Sequence, residues 1–380
     1  MTDLLALALP ASLDGPYRIL VFLIMLSVLI VLHEYGHFLL ARRNGVRVND
    51  FAIGFGPTLV RWTSSRSGTN YRINLLPIGG YCAMKGEDGK STQAEQQRRF
   101  RERGDYEDDN FQAKSAPARL AIVLAGPSAN FVLAFAILLA AALVFGIPND
   151  KASTEIGPLS PGYPAERAGM RSGDVIVSVD GVRMRDGDQL VDVIHSSAGK
   201  RLHIVYSRHG VLHAVDVTPV LATIGGRHFG RIGFSPLPEY RRVGPIAAVT
   251  AAAQEFGTMF SGTATMLGAL VMHPRDTFAD LSGPIGMARM GATVQDLGWA
   301  PYLQLAAMIS MSLAFFNLLP IPALDGGRAA FIVVEMVRGR PVDPEKEALV
   351  HVAGFAALMV LMIFVAYHDI ANIVSGKGVF

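Results

Sequence analysis

Apolar residues run almost unbroken through four stretches of the chain, Ile19–Ala41, Leu120–Ile147, Leu297–Leu324 and Ala348–Tyr367. Roughly 20 such residues in helical form cross a bilayer core, so each stretch predicts a transmembrane helix. A fifth, Ile246–Met272, is nearly as apolar but carries Glu255 and many Gly, Ala, Ser and Thr residues. Counting it as a crossing would put the two halves of the candidate site described below on opposite membrane faces. It is therefore expected to lie on the outer membrane surface or against the bundle.

Between the spans the pattern changes. Val46–Met84 holds strand-like runs, notably Arg72–Leu76, punctuated by Gly54, Gly56-Pro57 and Gly79-Gly80, which predict a membrane-associated β-hairpin region over 46–86. Its apolar content points to a reentrant segment, which exists at membrane depth only where protein covers it or water reaches it. Glu87–Lys114 is heavily charged on both sides of Gly104 and reads as a solvated linker or surface helix. Glu155–Val220 reads as a small α/β module. Pro164–Met170 is a helical turn, Ser172–Asp174 a turn, Asp174–Val179 a strand and Asp180-Gly181 a tight turn.

The expected fold is thus an α-helical membrane protein with four transmembrane helices and an inserted outer α/β domain. The first helix lies within 1–45, the β region at 46–86, a charged loop at 87–118 and the second helix at 119–147. The outer module occupies 150–224, membrane-surface helices 225–296, the third helix 297–327 and the fourth 346–370.

Composition agrees. The chain is 51% hydrophobic and 17% charged with a mean hydropathy of +0.33, high in apolar and low in charged residues for a soluble globular protein. The first span lacks a basic leading region and a small-residue cleavage site, so it is expected to be retained. The net charge of +2 says nothing about nucleic acid, but with no basic stripe, zinc-finger spacing or phosphate loop none is expected as a partner. Cys82 is the sole cysteine, which excludes intramolecular disulfides; a small buried residue is expected there. The segment Arg42–Arg119 holds fourteen Lys and Arg residues against Arg18 alone before the first span. The positive-inside rule then puts this loop and Arg328–Lys346 in the cytoplasm, and the amino terminus and Pro148–Gly298 outside.

The first span ends in His33-Glu34-Tyr35-Gly36-His37. Positions i and i+4 share a helix face, so both imidazoles can bind one zinc ion. Glu34, the only charged residue in Ile19–Ala41, is placed to accept a proton from water activated there. A bare motif of this length also arises from packing histidines. In a membrane helix that alternative weakens, because a charge near the bilayer centre costs roughly 2.5–3.5 kcal/mol. A structural zinc contributes about 10–16 kcal/mol in small peptides, enough to offset it.

A catalytic zinc needs a third protein ligand. The metzincin continuation would require Gly at position 40 and His at 43; Leu40 and Arg43 stand there, and that class is rejected. The remaining candidates are carboxylates at the inner ends of the other spans. Asp325 stands out in Asn317-Leu-Leu-Pro-Ile-Pro-Ala-Leu-Asp-Gly-Gly327, where two prolines interrupt the helix and paired glycines let backbone approach closely.

HEYGH with NxxPxPxLDGG in a separate span resembles the site-2 protease family of intramembrane zinc metalloproteases, most nearly its bacterial regulator-of-sigma-E branch. Gly54–Pro57, Leu76–Tyr81, Gly126-Pro-Ser-Ala-Asn-Phe131 and Ser282–Ile285 match in order. The phrase Pro161–Gly181 resembles a bacterial PDZ domain, with room for one. The resemblance implies that His33, His37 and Asp325 ligate Zn2+ and that Glu34 is the general base. It also implies that Asn317 and the Gly79-Gly80 segment contact substrate. Arg328 stands where relatives often have His, a position with no expected ligand role. The implied substrates are transmembrane segments, an anti-sigma factor already cut by an upstream first-site protease above all, and remnant signal peptides. The implied setting is a bacterial inner membrane, the PDZ domain extracytoplasmic and the active site near the cytoplasmic face in contact with membrane lipids. His203, His209, His213 and His228 are expected at the surface or in packing. A zinc transporter would show internal repeats that are not found, and a non-catalytic PDZ scaffold would have no use for Glu34.

Overall fold

The computed structural model describes residues 11–86, 108–160, 162–224, 227–272, 284–295, 297–340, 342 and 344–374. Most of the charged loop expected over 87–118 lies outside the described residues. Two compact units emerge, one of Met1–Leu138, Ala253–Ala292 and Leu303–Phe380, the other of Leu139–Ala252 and Thr293–Tyr302.

In the first unit α1 (Ala11–Arg43) leads into β1 (Val48–Thr63) and β2 (Asn70–Met84). Helix α2 (Ala116–Val144) follows. Four helical segments, Tyr17–Arg43, Ala116–Val144, Trp299–Leu318 and Lys346–Ala371, are long and apolar enough to cross a membrane, the four expected from the apolar runs. The last of them leaves Val352, Phe355, Val360, Ile363 and Phe364 exposed. An exposed apolar face of that extent marks a membrane or interaction surface.

The β region is more than a single hairpin. Phe51 lies opposite both Cys82 and Tyr71, and Tyr71 also faces Trp62. Both strands therefore bend back, and four segments lie side by side in the order 80–84, 48–53, 70–73, 58–63. Gly54, Gly56 and Gly79, all at φ between 78° and 87°, supply the left-handed corners that a residue with a Cβ adopts only at a cost. Phe38 of α1 packs edge-on to Phe51 at 5.3 Å, fixing the sheet to the helix.

In the second unit β3 (Ile147–Ile156), the short α3 (Pro164–Arg167), β4 (Val175–Val179), β5 (Val182–Arg183) and α4 (Gly187–His195) come first. They are followed by β6 (Leu202–Arg208), β7 (Val211–Val217), β8 (Val220–Ile224), β9 (Arg227–Arg231) and β10 (Pro236–Arg241). The sheet order is β10-β3-β4-β6-β7 with β5 on β4, and β8-β9 forms a separate pair. Ile156, Ile176, Leu190, Ile204 and Ile232 fill the core. Asp180 at φ 49° and Gly181 at φ 78° make the tight turn between β4 and β5. Within 225–296, expected as surface helices, residues 227–231 and 236–241 are strands instead. Pro236 and Pro238 cannot sit in a helix interior but are tolerated on an edge strand, which β10 is.

Asp174, its side chain 1% exposed, takes a bidentate pair from Arg208, Nε to Oδ1 at 2.7 Å and Nη2 to Oδ2 at 2.8 Å. Burial pushes this carboxyl up, but hydrogen bonds from Arg208 and the Arg171 N–H outweigh it and hold the pKa below the ordinary value. A lowered folded pKa means that the pair's contribution is complete above the unfolded value of about 3.9 and is lost as pH falls below it. Asp174→Asn should cost this unit about 3–5 kcal/mol near neutrality. The gap to wild type should narrow in unfolding curves recorded toward pH ~3; a gap independent of pH would remove the ion pair from the account.

Helix α5 (Pro245–Met272) is followed by α6 (Pro284–Gln295), α7 (Trp299–Leu318), α8 (Asp325–Arg338) and α9 (Pro344–Val374). Phe256 and Phe260 of α5 meet Phe131 and Phe135 of α2 and Phe315 of α7 in edge-on and tilted contacts, so this part of α5 packs against the bundle. A second expectation needs correction. The third helix does not continue to residue 327. It ends at Leu318, because Pro320 and Pro322 offer no N–H to a continuing ladder, and Asp325 opens a separate helix.

Candidate metal centre

His33 and His37 sit one turn apart on α1, with ring centroids 4.9 Å apart and an interplanar angle of 77°. Their Nε2 atoms are 3.2 Å apart. Asp325 Oδ2 lies 3.0 Å from His33 Nε2 and 3.3 Å from His37 Nε2. Donors separated by 292 residues in the chain thus form a near-equilateral triangle. It is secluded, with side chains 8% exposed at each histidine and 19% at Asp325.

The triangle has the dimensions of a metal site. Tetrahedral bonds of roughly 2.0–2.1 Å place ligand atoms about 3.3 Å apart. Converging lone pairs and a carboxylate oxygen repel one another unless positive charge lies among them. Two imidazoles and one carboxylate are a donor set that zinc accepts, and Ca2+ or Mg2+ would favour oxygen ligands instead. Residues present and group therefore fit.

Each ligand is held from behind. His37 Nδ1 is 2.9 Å from the Ile122 carbonyl. A carbonyl only accepts, so Nδ1 carries the proton and the Nε2 lone pair points into the triangle. His33 Nδ1 faces the side-chain amide of Asn130, with Nδ2 at 3.3 Å. Ile122, Gly126 and Asn130 recur every four residues and make one stripe of α2. A Cβ on Gly126 would collide with His37 Nε2 and fall 2.7 Å from His33 Nε2. Only a glycine leaves room for both rings there. A Cβ on Gly36 would likewise meet Ala129 Cβ at 2.9 Å and the Ala125 carbonyl, which marks how tightly α1 and α2 pack.

Asp325 is the first residue of α8, just past a break that the prolines impose. Ala323 in that break has φ 77°, a costly conformation for a residue with a Cβ. Its N–H donates to His351 Nδ1 at 2.8 Å, and Gly354 lets α9 close onto Pro322. The last helix thereby clamps the loop that carries the carboxylate.

The other expected site residues fall in distinct places. Glu34 is half-buried, and a Cβ on Gly80 would lie 3.8 Å from its Cγ; the glycine segment therefore runs alongside the carboxylate. Gly79 turns at φ 87° beneath the Phe55 ring. Asn317, on the last turn of α7, donates to its own helix at Leu313 O, 3.0 Å, and among the described residues no hydrogen bond links it to the triangle. Cys82 is buried. Ile122, Gly126, Asn130 and His351 carried no role in the sequence. For Gly126 and Asn130 the available signal was their place in the family-like segment Gly126–Phe131, an amide four residues after a glycine in a mostly apolar span.

Comparison with known proteins adds the following. The profile of peptidase family M50 matches residues 21–361. The zinc metalloprotease RasP of Bacillus licheniformis is 31% identical over 93% of this chain and 99% of its own length. The zinc metalloprotease RasP of Geobacillus kaustophilus is 31% identical over 93% of this chain and 97% of its own. The regulator of sigma-W protease RasP of Bacillus subtilis is 30% identical over 93% and 98%.

Proposed function

Because the chain belongs to peptidase family M50, the site-2 protease family, we propose that it is an intramembrane zinc metalloprotease that cleaves transmembrane segments, with His33, His37 and Asp325 as the metal ligands. The observation that carries this reading is the buried triangle of donors from α1 and α8, set among helices apolar enough to span a bilayer.

When bound, zinc supplies Lewis acidity, which acidifies water and polarises a peptide carbonyl. The protein's own groups do the rest. The Ile122 carbonyl holds the Nδ1 proton of His37, so that ring offers its lone pair inward. Asp325 contributes negative charge where a cation must sit. Glu34 accepts the proton of the attacking water and hands it to the leaving amine nitrogen. A helical substrate hides its carbonyls in internal hydrogen bonds, so it must unwind locally. The segment 80–84 is an edge of the four-segment sheet, and an unwound substrate strand can pair there, with Gly79 and Gly80 admitting close backbone approach. Asn317 takes the role of a substrate-binding amide after leaving its bond to Leu313.

The proposed substrates are membrane-anchored regulators of the anti-sigma-factor kind, first cut on the outer side by another protease, and remnant signal peptides. The sigma-W regulator among the relatives supports this class. The Lys and Arg asymmetry supports an orientation with residues 148–298 outside and the metal centre near the cytoplasmic face; the likeness to bacterial proteases supports a multi-pass protein of a bacterial inner membrane, and the phrase Pro161–Gly181 supports an outer PDZ domain.

Purified full-length protein should cleave a single-span reporter, lose that activity in a chelator and regain it with added zinc. Cleavage that persists after metal removal, or that survives Asp325→Ala, would overturn the assignment.

A further inference from the structure

Asn130 is fully buried, in the middle of an apolar helix. Its Nδ2 lies 3.3 Å from His33 Nδ1, while its Oδ1 is buried with no hydrogen-bond partner among the described residues. The two ends of a carboxamide are nearly isosteric, and a half-turn about the last side-chain bond exchanges them.

The two orientations have opposite chemical consequences. With NH2 toward the ring, Nδ1 must accept, the imidazole proton sits on Nε2, and Nε2 can bind no cation. With the oxygen toward the ring, Nδ1–H donates, the orphaned oxygen gains its partner, and the Nε2 lone pair enters the triangle. Only the second is compatible with a metal between His33, His37 and Asp325. The half-turn carries the NH2 to the place the oxygen leaves, so the count of partnered ends is unchanged and the ring's tautomer decides between the two orientations.

We infer that Asn130 is a positioning residue that presents Oδ1 to His33 Nδ1–H, selecting the metal-binding tautomer and aiming the ring. The inference rests on the ligand assignment made above. It makes α2 the common support of both histidines, through Asn130 for His33 and the Ile122 carbonyl for His37, eight residues apart on one face with Gly126 between them. Ser310 Oγ of α7 donates to the Asn130 carbonyl at 2.9 Å, so the backbone at this level is itself held in register. Metal-ligating histidines are commonly fixed through their second nitrogen in this manner, and loss of the partner typically lowers metal affinity about 10–100-fold.

The test is zinc affinity, by competition with a chromophoric chelator, in metal-stripped full-length protein. Asn130→Ala should weaken zinc by about 10–100-fold. Asn130→Asp, which keeps an acceptor oxygen, should recover most of that loss, whereas a merely structural role would leave both variants equally impaired. Native affinity in Asn130→Ala, or equal loss in Ala and Asp, overturns the proposal. His33→Ala separates the two levels of the argument. If it binds zinc as tightly as wild type, the ligand set is wrong and the proposal falls with it. If it loses zinc while Asn130→Ala does not, the ligand set stands and Asn130 alone loses its role.

Discussion

Glu34→Gln should leave zinc binding at the wild-type level while cutting kcat on a transmembrane reporter by about 10²–10⁴-fold, the usual share of a positioned general base. The amide matches the carboxylate in size and sits in the same half-buried place beside Gly80, so packing is preserved. What it lacks is the ability to take a proton. In free-energy terms the loss is about 3–5 kcal/mol, with KM nearly unchanged because no donor in the triangle is touched. The two measurements, chelator competition and reporter turnover, must diverge. If turnover persists with zinc bound, the proton passes through another group and Glu34 is not the base; if zinc is lost as well, Glu34 acts on the ligand geometry instead.

Gly126→Ala should have the next largest effect, and in the opposite order, abolishing metal binding first and activity as a consequence. In an ordinary helix interior this exchange is favourable by roughly 0.5–1 kcal/mol, a gain that the surroundings of Gly126 remove. At this position the added Cβ meets His37 Nε2 and lies 2.7 Å from His33 Nε2. The close packing of α1 on α2 at Gly36 leaves neither backbone room to retreat, so the rings must turn away. Displacement by about 1 Å in a catalytic constellation costs on the order of 10²-fold in rate, and Val should be worse. A zinc titration on the Ala variant decides it. Wild-type affinity there would mean that the stripe on α2 stands farther from the histidines than described.

Much of this architecture is legible along the chain because it is written in local patterns. Apolar runs without charge have one low-energy solution in lipid, a helix with its backbone satisfied internally, and all four appear. The i, i+4 spacing of His33 and His37 places two imidazoles on one helix face whatever surrounds them. Asp180-Gly181 has few alternatives to a tight turn. Asp325 was identifiable as a candidate because prolines and glycines around it announce a broken helix in an apolar setting, where a carboxylate needs a partner.

What the chain alone could not reveal is set by contacts between distant segments, which leave no period in the sequence. That α7 stops at Leu318 and α8 starts at Asp325 follows from prolines, but the approach of that aspartate to within 3.0 Å of His33 needs α1, α2, α8 and the clamp from α9 together. The folding of two strands into four side-by-side segments depends on Phe51 meeting both Cys82 and Tyr71, and β10 becomes a strand only because β3 offers it an edge. Gly126 and Asn130 stand in a segment that the family resemblance marks, but without a role until two imidazoles arrive beside them. The sequence by itself determined which helices are long and apolar enough to cross a membrane and which side chains are candidates to hold a metal. Packing alone decided that they converge, and which carbonyl and amide stand behind the histidines, since the pairing of surfaces across hundreds of residues is a property of the folded state.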